Sequence, residues 1–194
     1  VFEGLKNLLT GGERVSVPHI NKVHLALPSM TLSHVYGPTE NTTFTTSYQV
    51  QGIYERDIPI GGPIANSTVY VLDDGVELLP IGAAGELCTG GDGLARGYLN
   101  DPELTARKFV QHPFETEERL YRTGDLARWR QDGALEYLGR IDDQVKVRGF
   151  RIEPAEIESC LLQFEPVRQA AVLAVETNMH GRELVAYVVG GPAL

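Results

Sequence analysis

In the run HVYGPTENTTF, residues 34–44, an aromatic ring stands beside a Gly-Pro turn, a threonine and a lone carboxylate, and alternating threonine and phenylalanine follow. Tyr36 can stack on a base, and Glu40 can hold a hard cation such as Mg2+ through a carboxylate oxygen. A second run, YRTGDL at residues 121–126, places an aspartate directly after Thr-Gly. Such an aspartate is either a plain turn former or a partner for hydroxyls. The run DLARWRQDGALEYLGR reads as a hairpin with Asp132-Gly133 as a two-residue turn, which sets Asp125 opposite Arg140 and Arg128 opposite Tyr137; a longer loop would slip this register by one. A carboxylate beside a guanidinium can accept two ribose hydroxyls while the cation faces a phosphate beyond. The residues alone outline a nucleotide site assembled from distant loops.

Other motifs carry less chemistry. CTGGDGLARGYLN has glycines at 91, 93 and 97, one residue off the dinucleotide spacing, and lacks the Lys-Ser/Thr of the other common phosphate loop. It reads as structural. His19 and His24 are five residues apart, off a shared helical face, and no serine sits in a nucleophile elbow. Covalent catalysis is unsupported. Cys88 and Cys160 lack neighbours at ligand spacing and read as reduced thiols. With 26 acidic against 17 basic side chains the formal charge is −9, so a nucleic-acid backbone or an anionic membrane is repelled on average. No apolar stretch approaches a spanning helix, and the expected location is cytoplasmic. The start VFEGLKNLLTGGE lacks an initiator methionine and a signal-peptide layout, so the chain is expected to be a segment of something longer.

The elements that must position these residues fall into three stretches. Residues 1–57 read as α/β: a strand LKNLLTGG, a helix opened by Pro18 with Ile20, Val23 and Leu27 on one face, and a strand TLSHVY. If the strands are parallel, the loops Gly11-Gly12-Glu13 and Gly37-Pro38-Thr39-Glu40 share the carboxyl edge of one sheet, where ligands of open α/β sheets bind. Residues 58–141 read as β-rich, with STVYVLDDGVELLP as a hairpin around Asp74-Gly75, AGELCTG as a strand, and a brief helix over 101–110. Residues 142–194, after a hinge near Asp142, begin a small α+β unit: a helix opened by Pro154 with Ile157, Cys160, Leu161 and Phe164, then strands AAVLAV and ELVAYVV.

VYGPTE, GELCTGGDGLARGYLNDPELTARKFV, YRTGDLARW and GRIDDQVKVRGFRIEPAEIE resemble consecutive core motifs of the adenylation domains of nonribosomal peptide synthetases, within the adenylate-forming superfamily of acyl-CoA synthetases and luciferases. LLTGGE fits the segment upstream, and the match spans about residues 5 to 190. The resemblance implies the end of an α/β subdomain, a β-barrel-like subdomain and the start of a small C-terminal domain. It implies activation of a carboxylic acid with ATP and Mg2+ to an acyl-adenylate, then transfer to the phosphopantetheine thiol of a peptidyl carrier domain among other synthetase modules. Other branches of the superfamily use free coenzyme A, and a non-catalytic remnant would keep the fold without turnover.

By the same resemblance Tyr36 would stack on adenine, Thr39 would contact the α-phosphate, Glu40 would hold Mg2+, and Asp125 would bind the ribose hydroxyls. Tyr137 would line the nucleotide, Arg140 would reach its ribose and phosphate side, and Gly12, Glu13 and His34 would lie along it. Thr39, Glu40 and Arg140 are the expected catalytic residues. His34 stands where asparagine is common in the family. Leu9, Gly11, Val35, Thr43 and Phe44 would line the acid pocket, with carbonyls of Gly37 and Thr43 facing the substrate's amino group. None of these five side chains is charged, which favours an uncharged side chain on an amino, keto or hydroxy acid. Asp142 would be the hinge, and Gly149 would allow its loop to approach the pantetheine. The family's phosphate loop and adenylating lysine fall outside these residues, so the segment alone is expected to be inactive.

Overall fold

The computed structural model describes residues 2, 4–177 and 181–191, and the chain divides into two compact units, Val1–Ile141 and Asp142–Leu194. In the first unit, β1 (Asn7–Gly11) leads through α1 (Val17–Ala26) to β2 (Thr31–Tyr36), and β1 and β2 are parallel with Gly11 level with Val35. Pro18 sits in the first turn of α1, where its missing N–H has no intrahelical acceptor to lose. Ile20 and Val23 join Leu8, Leu32, Val50 and Ile58 in one apolar cluster under the sheet. Leu27 is the cap of α1 and closes it. Because the strands are parallel, the loops after Gly11 and after Tyr36 leave the sheet side by side. β3 (Thr46–Gln49) and β4 (Gly62–Pro63) continue the sheet antiparallel.

The remainder of this unit is β5 (Ser67–Leu72), β6 (Gly85–Gly91), α2 (Pro102–Lys108), β7 (Phe109–Gln111), β8 (Arg119–Trp129) and β9 (Leu135–Arg140). Its sheet runs β5-β6-β8-β7, with β9 also paired to β8, and every pairing is antiparallel. Asp101 caps α2 by accepting a hydrogen bond from the Leu104 amide at 2.9 Å. The helix expected through residue 110 stops at Lys108 because Phe109 and Val110 pair with Tyr121 and Leu120. The hairpin expected after β5 has a three-residue loop with Val76 at φ 66°, and its second arm is reduced to the bridge Leu72–Leu78.

Ile60, Val69, Val71, Leu87, Ala127 and Leu135 form the central core of the unit, with Tyr36 and Tyr137 packed against it. The Ile60 amide donates to the Leu135 carbonyl at 2.9 Å, and the Leu135 amide donates to the Gly61 carbonyl at 2.7 Å. These bonds join the chain between β3 and β4 to the second sheet.

The second unit opens with β10 (Val145–Val147) and β11 (Phe150–Ile152), joined by a tight turn in which Arg148 and Gly149 have φ of 54° and 82°. Two successive positive φ angles match the right-handed twist of the flanking strands. α3 (Pro154–Leu162) then packs on β12 (Val167–Thr177), which pairs with β13 (Gly181–Gly190). Glu158 of α3 accepts from the Val172 amide at 2.8 Å. The helix ends before Phe164, which is exposed. Among the described residues no helix is long and apolar enough to cross a membrane.

Leu135 is fully buried in the central core, whereas Leu25 on α1 is 69% exposed. Leu135→Ala is expected to cost about 2–5 kcal/mol and Leu25→Ala less than about 0.5 kcal/mol in urea unfolding. Equal shifts would contradict the placement of this core.

Candidate active site

Asp125 is the convergence point of three strands. Its Oδ1 accepts from Arg140 Nη1 at 3.0 Å, and its Oδ2 accepts from the Tyr36 hydroxyl. Tyr36 ends β2, Asp125 lies in β8 and Arg140 ends β9. The Tyr137 ring lies 6.3 Å from that of Tyr36, tilted by 38°. Burial first, and the charge of Asp125 second, push the Tyr36 phenol well above its ordinary range, so it keeps the proton it donates. The structure thus brings Tyr36, Asp125, Tyr137 and Arg140 together.

The route to this pairing differs from the sequence expectation. The turn after β8 has three residues, Gln131 to Gly133, closed by the Arg130 amide on the Ala134 carbonyl, so Arg128 faces Glu136 and Tyr137 faces Ala127. A bulge at Leu138 then restores Asp125 to Arg140. On the other edge of β8, Leu87 alone faces Thr123, Gly124 and Asp125, because the register shifts between Glu86 and Cys88. The main-chain groups of this bulge are still satisfied. Thr123 Oγ1 donates to the Leu87 carbonyl at 2.6 Å and accepts from the Asp125 amide at 2.9 Å. Arg140 Nη1 donates to the Thr123 carbonyl at 2.9 Å, and the Ile141 amide donates to the Gly124 carbonyl at 2.8 Å.

Glu40 belongs to a second cluster. The Asn41 amide donates to the Pro38 carbonyl at 3.1 Å, closing the turn that carries exposed Thr39 and buried Glu40. Glu40 Oε1 accepts from the hydroxyls of Tyr98 at 2.7 Å and Tyr121 at 2.8 Å. Two neutral donors on one oxygen fix the carboxylate's orientation without cancelling its charge. Among the described residues no three His, Cys, Asp or Glu side chains form a metal cage. A single oriented carboxylate suits Mg2+, which is held by one or two carboxylates together with substrate phosphates.

The loop between these residues and β3 is strained. Thr42 and Thr43 have φ of 40° and 75°, and the Phe44 amide donates to the Thr42 carbonyl at 3.0 Å in a three-residue turn. A Cβ on Gly37 would lie 2.5 Å from the Thr43 carbonyl oxygen, so glycine is required for that approach. Thr42 Oγ1 donates to the Gly93 carbonyl at 2.6 Å, which ties the loop to the glycine-rich segment. Gly11 also meets its neighbour closely: a Cβ there would be 2.0 Å from the Val35 carbonyl oxygen. Period two puts Leu9, Gly11 and Val35 on one face of the sheet, opposite the Leu8 and Leu32 face that packs α1. Phe44 and Leu9 are largely exposed. Gly12, at φ 89°, and Glu13 lie in the exposed turn leaving β1. Asp142 accepts from the Gln144 amide at 3.2 Å at the start of the second unit, where Gly149 forms the β10–β11 turn.

Tyr98, Tyr121 and Thr123 were not singled out by sequence reasoning. Tyr121 and Thr123 precede Asp125 by four and two residues in a strand, the spacing of a shared face. That periodicity is a usable signal for both. Tyr98 lies in an irregular segment, where no such period exists.

The family model described as AMP-binding enzyme matches residues 1–99. The chain belongs to the AMP-binding enzyme family. It is similar to gramicidin S synthase 2 of Brevibacillus brevis, 53% identical over 97% of this chain and 4% of the relative. It is also similar to tyrocidine synthase 3 of Brevibacillus parabrevis, 55% identical over 97% of this chain and 3% of the relative. Among solved structures it is similar to PA1221, described as an NRPS protein containing adenylation and PCP domains, with a TM-score of 0.88 and 39% identity over 98% of this chain and 39% of that chain. The chain therefore spans a small fraction of the synthases that it matches.

His34 is buried, and its Nδ1–H donates to the Pro59 carbonyl at 2.9 Å. Burial lowers its pKa below the ordinary imidazole range. The unfolded chain then takes up a proton that the folded one refuses, so His34's contribution is full above about pH 6.5 and is lost as pH falls below that value. His34→Asn is expected to flatten the loss of stability between pH 7.5 and pH 5.5, read from urea midpoints. An unchanged pH slope would contradict this assignment.

Proposed function

We propose that these residues form the nucleotide-facing part of an adenylation domain that activates an amino acid, or a related carboxylic acid, with ATP. The observation that carries the reading is Asp125, presented on a bulge and braced by Tyr36 and Arg140. A braced carboxylate at the end of a strand is poised to accept two ribose hydroxyls. Tyr36 and Tyr137 supply the aromatic surface for adenine, with Gly12, Glu13 and His34 along the nucleotide. The similarity to gramicidin and tyrocidine synthases supports the peptide-synthetase branch.

The chemistry is electrostatic and positional. An acid held against Leu9, Gly11, Val35, Thr43 and Phe44, with its amino group facing the Gly37 and Thr43 carbonyls, directs its carboxylate at the α-phosphorus. Pyrophosphate leaves, and the acyl-adenylate remains. Thr39 contacts the α-phosphate, Arg140 faces the ribose and phosphate side, and Glu40 holds Mg2+. Magnesium, when bound, offsets the charge that develops on the phosphates. The tyrosine pair on Glu40 keeps one carboxylate oxygen oriented, so that this side chain would be ready to hold the metal. In the second half-reaction the thiol of a carrier domain's phosphopantetheine attacks the acyl carbon and releases AMP. Asp142 is the hinge for that step, and the Gly149 turn approaches the pantetheine. The printed description of PA1221, with its PCP domain, supports a carrier partner.

Substrate-dependent ATP–pyrophosphate exchange across amino, keto and hydroxy acids tests the reading in a complete adenylation domain containing these residues. Exchange is expected with an acid bearing an uncharged side chain. Glu40→Gln is expected to lower it by about 100-fold and to raise the half-saturating Mg2+ concentration. Exchange indifferent to Glu40 would sink the metal assignment. Asp142→Pro is expected to spare exchange and suppress loading of the carrier thiol; equal loss of both half-reactions would contradict the hinge.

A further inference from the structure

Glu86 and Arg122 form an ion pair on β6 and β8 that the proposed mechanism leaves unused. Arg122 Nε and Nη2 reach Glu86 Oε2 at 2.7 and 2.6 Å, and the Glu86 side chain is only 9% exposed. Its strand neighbours are apolar: Glu86 is level with Leu72 on one side and Leu126 on the other. The thiol of nearby Cys88 is pushed up to about 12, chiefly by burial, which marks the surroundings as poorly solvated. Arg122 is 31% exposed, so its head keeps contact with water while Glu86 is desolvated, and such a pair adds little stability of its own. Its other contact gives it a use. Glu86 Oε1 accepts from the Gly124 amide at 2.9 Å, and Gly124, at φ 72°, is the central residue of the bulge that carries Asp125. Without that acceptor the Gly124 amide would be buried and unpaired, and the bulge would lose one of the bonds that set its shape.

We infer that Glu86 is a positioning residue: held by Arg122, it fixes the Gly124 amide and so sets the bulge that aims Asp125 at the ribose hydroxyls. The inference rests on the ribose role proposed for Asp125. Glu86 acts from the opposite side of β8 to Arg140, so the bulge is clamped at Gly124 by a carboxylate and at Thr123 by a guanidinium.

The test is calorimetric titration of a complete adenylation domain containing these residues with AMP and with 2′,3′-dideoxy-AMP. The unsubstituted domain is expected to prefer AMP by about 10- to 100-fold, the range for hydrogen bonds to a charged group. Asp125→Ala is expected to remove that preference. Glu86→Ala is expected to remove most of it while leaving the affinity for the dideoxy nucleotide unchanged. Glu86→Gln, which keeps an oxygen for the Gly124 amide, is expected to retain it. If Glu86→Ala gives no folded domain by circular dichroism, Glu86→Asp keeps the charge beside Arg122 but shortens the reach to Gly124. That variant is expected to lower the preference by about threefold or more. A full preference in Glu86→Ala, or in Glu86→Asp where the alanine variant does not fold, with loss in Asp125→Ala, would overturn the positioning role. So would equal weakening of both nucleotides by Glu86→Ala. A full preference in Asp125→Ala would overturn the ribose reading, and the inference with it.

Discussion

The carboxylate of Asp125 is the constraint on which the first unit's site depends. It is the meeting point of Tyr36, at the end of the mixed sheet, and Arg140, at the end of the antiparallel sheet. The two sheets already share a core around Leu87 and Leu135, against which Tyr36 and Tyr137 pack. The polar contact therefore sits on an apolar foundation, and the aromatic rings that would flank a base are part of that foundation. Replacing Tyr36 would disturb both layers at once: a buried hydroxyl that donates to a charge, and a ring that closes the core. The glycine-rich segment, although no phosphate loop by spacing, is joined to the second cluster, at Thr42 and Glu40, through Gly93 and Tyr98.

The loop that follows Glu40 is strained. Thr42 and Thr43 adopt left-handed backbone angles, and Asn41 Oδ1 and Thr45 Oγ1 are buried without a hydrogen-bond partner in the protein. Each such group costs about 1–3 kcal/mol. These costs fall on residues 41–45, directly after Glu40, so the loop's shape is imposed by its neighbours and not by local preference. The Thr42 hydroxyl on the Gly93 carbonyl and the Ala95 amide on the Glu40 carbonyl, at 2.8 Å, are two of the bonds that impose it.

Local signals made much of this legible in advance. Pro18, Pro102 and Pro154 each stand in the first turn of a helix, and TLSHVY is a strand over the expected residues. Asp125 and Arg140 do face one another, but two departures cancel: the turn has one residue more than expected, and a bulge at Leu138 makes up the difference. Turn dipeptides signal a hairpin and leave its bulges unspecified, because a bulge is set by what lies across the strand. The tyrosines on Glu40 were hidden for a similar reason: Tyr98 and Tyr121 lie far from it in sequence, and only the packed sheet brings their hydroxyls to one oxygen. Helix ends were misjudged where strand pairing captured the last residues, as at Phe109 and Val110.

The central claim is that Asp125 holds the ribose of an adenine nucleotide. A crystal structure of the AMP complex measures it directly. The expected result is both ribose hydroxyls about 2.5–3.0 Å from the Asp125 carboxylate oxygens, with the adenine between Tyr36 and its neighbours. A ribose placed elsewhere, with Asp125 bonded only to Tyr36 and Arg140 as in the free protein, would contradict it.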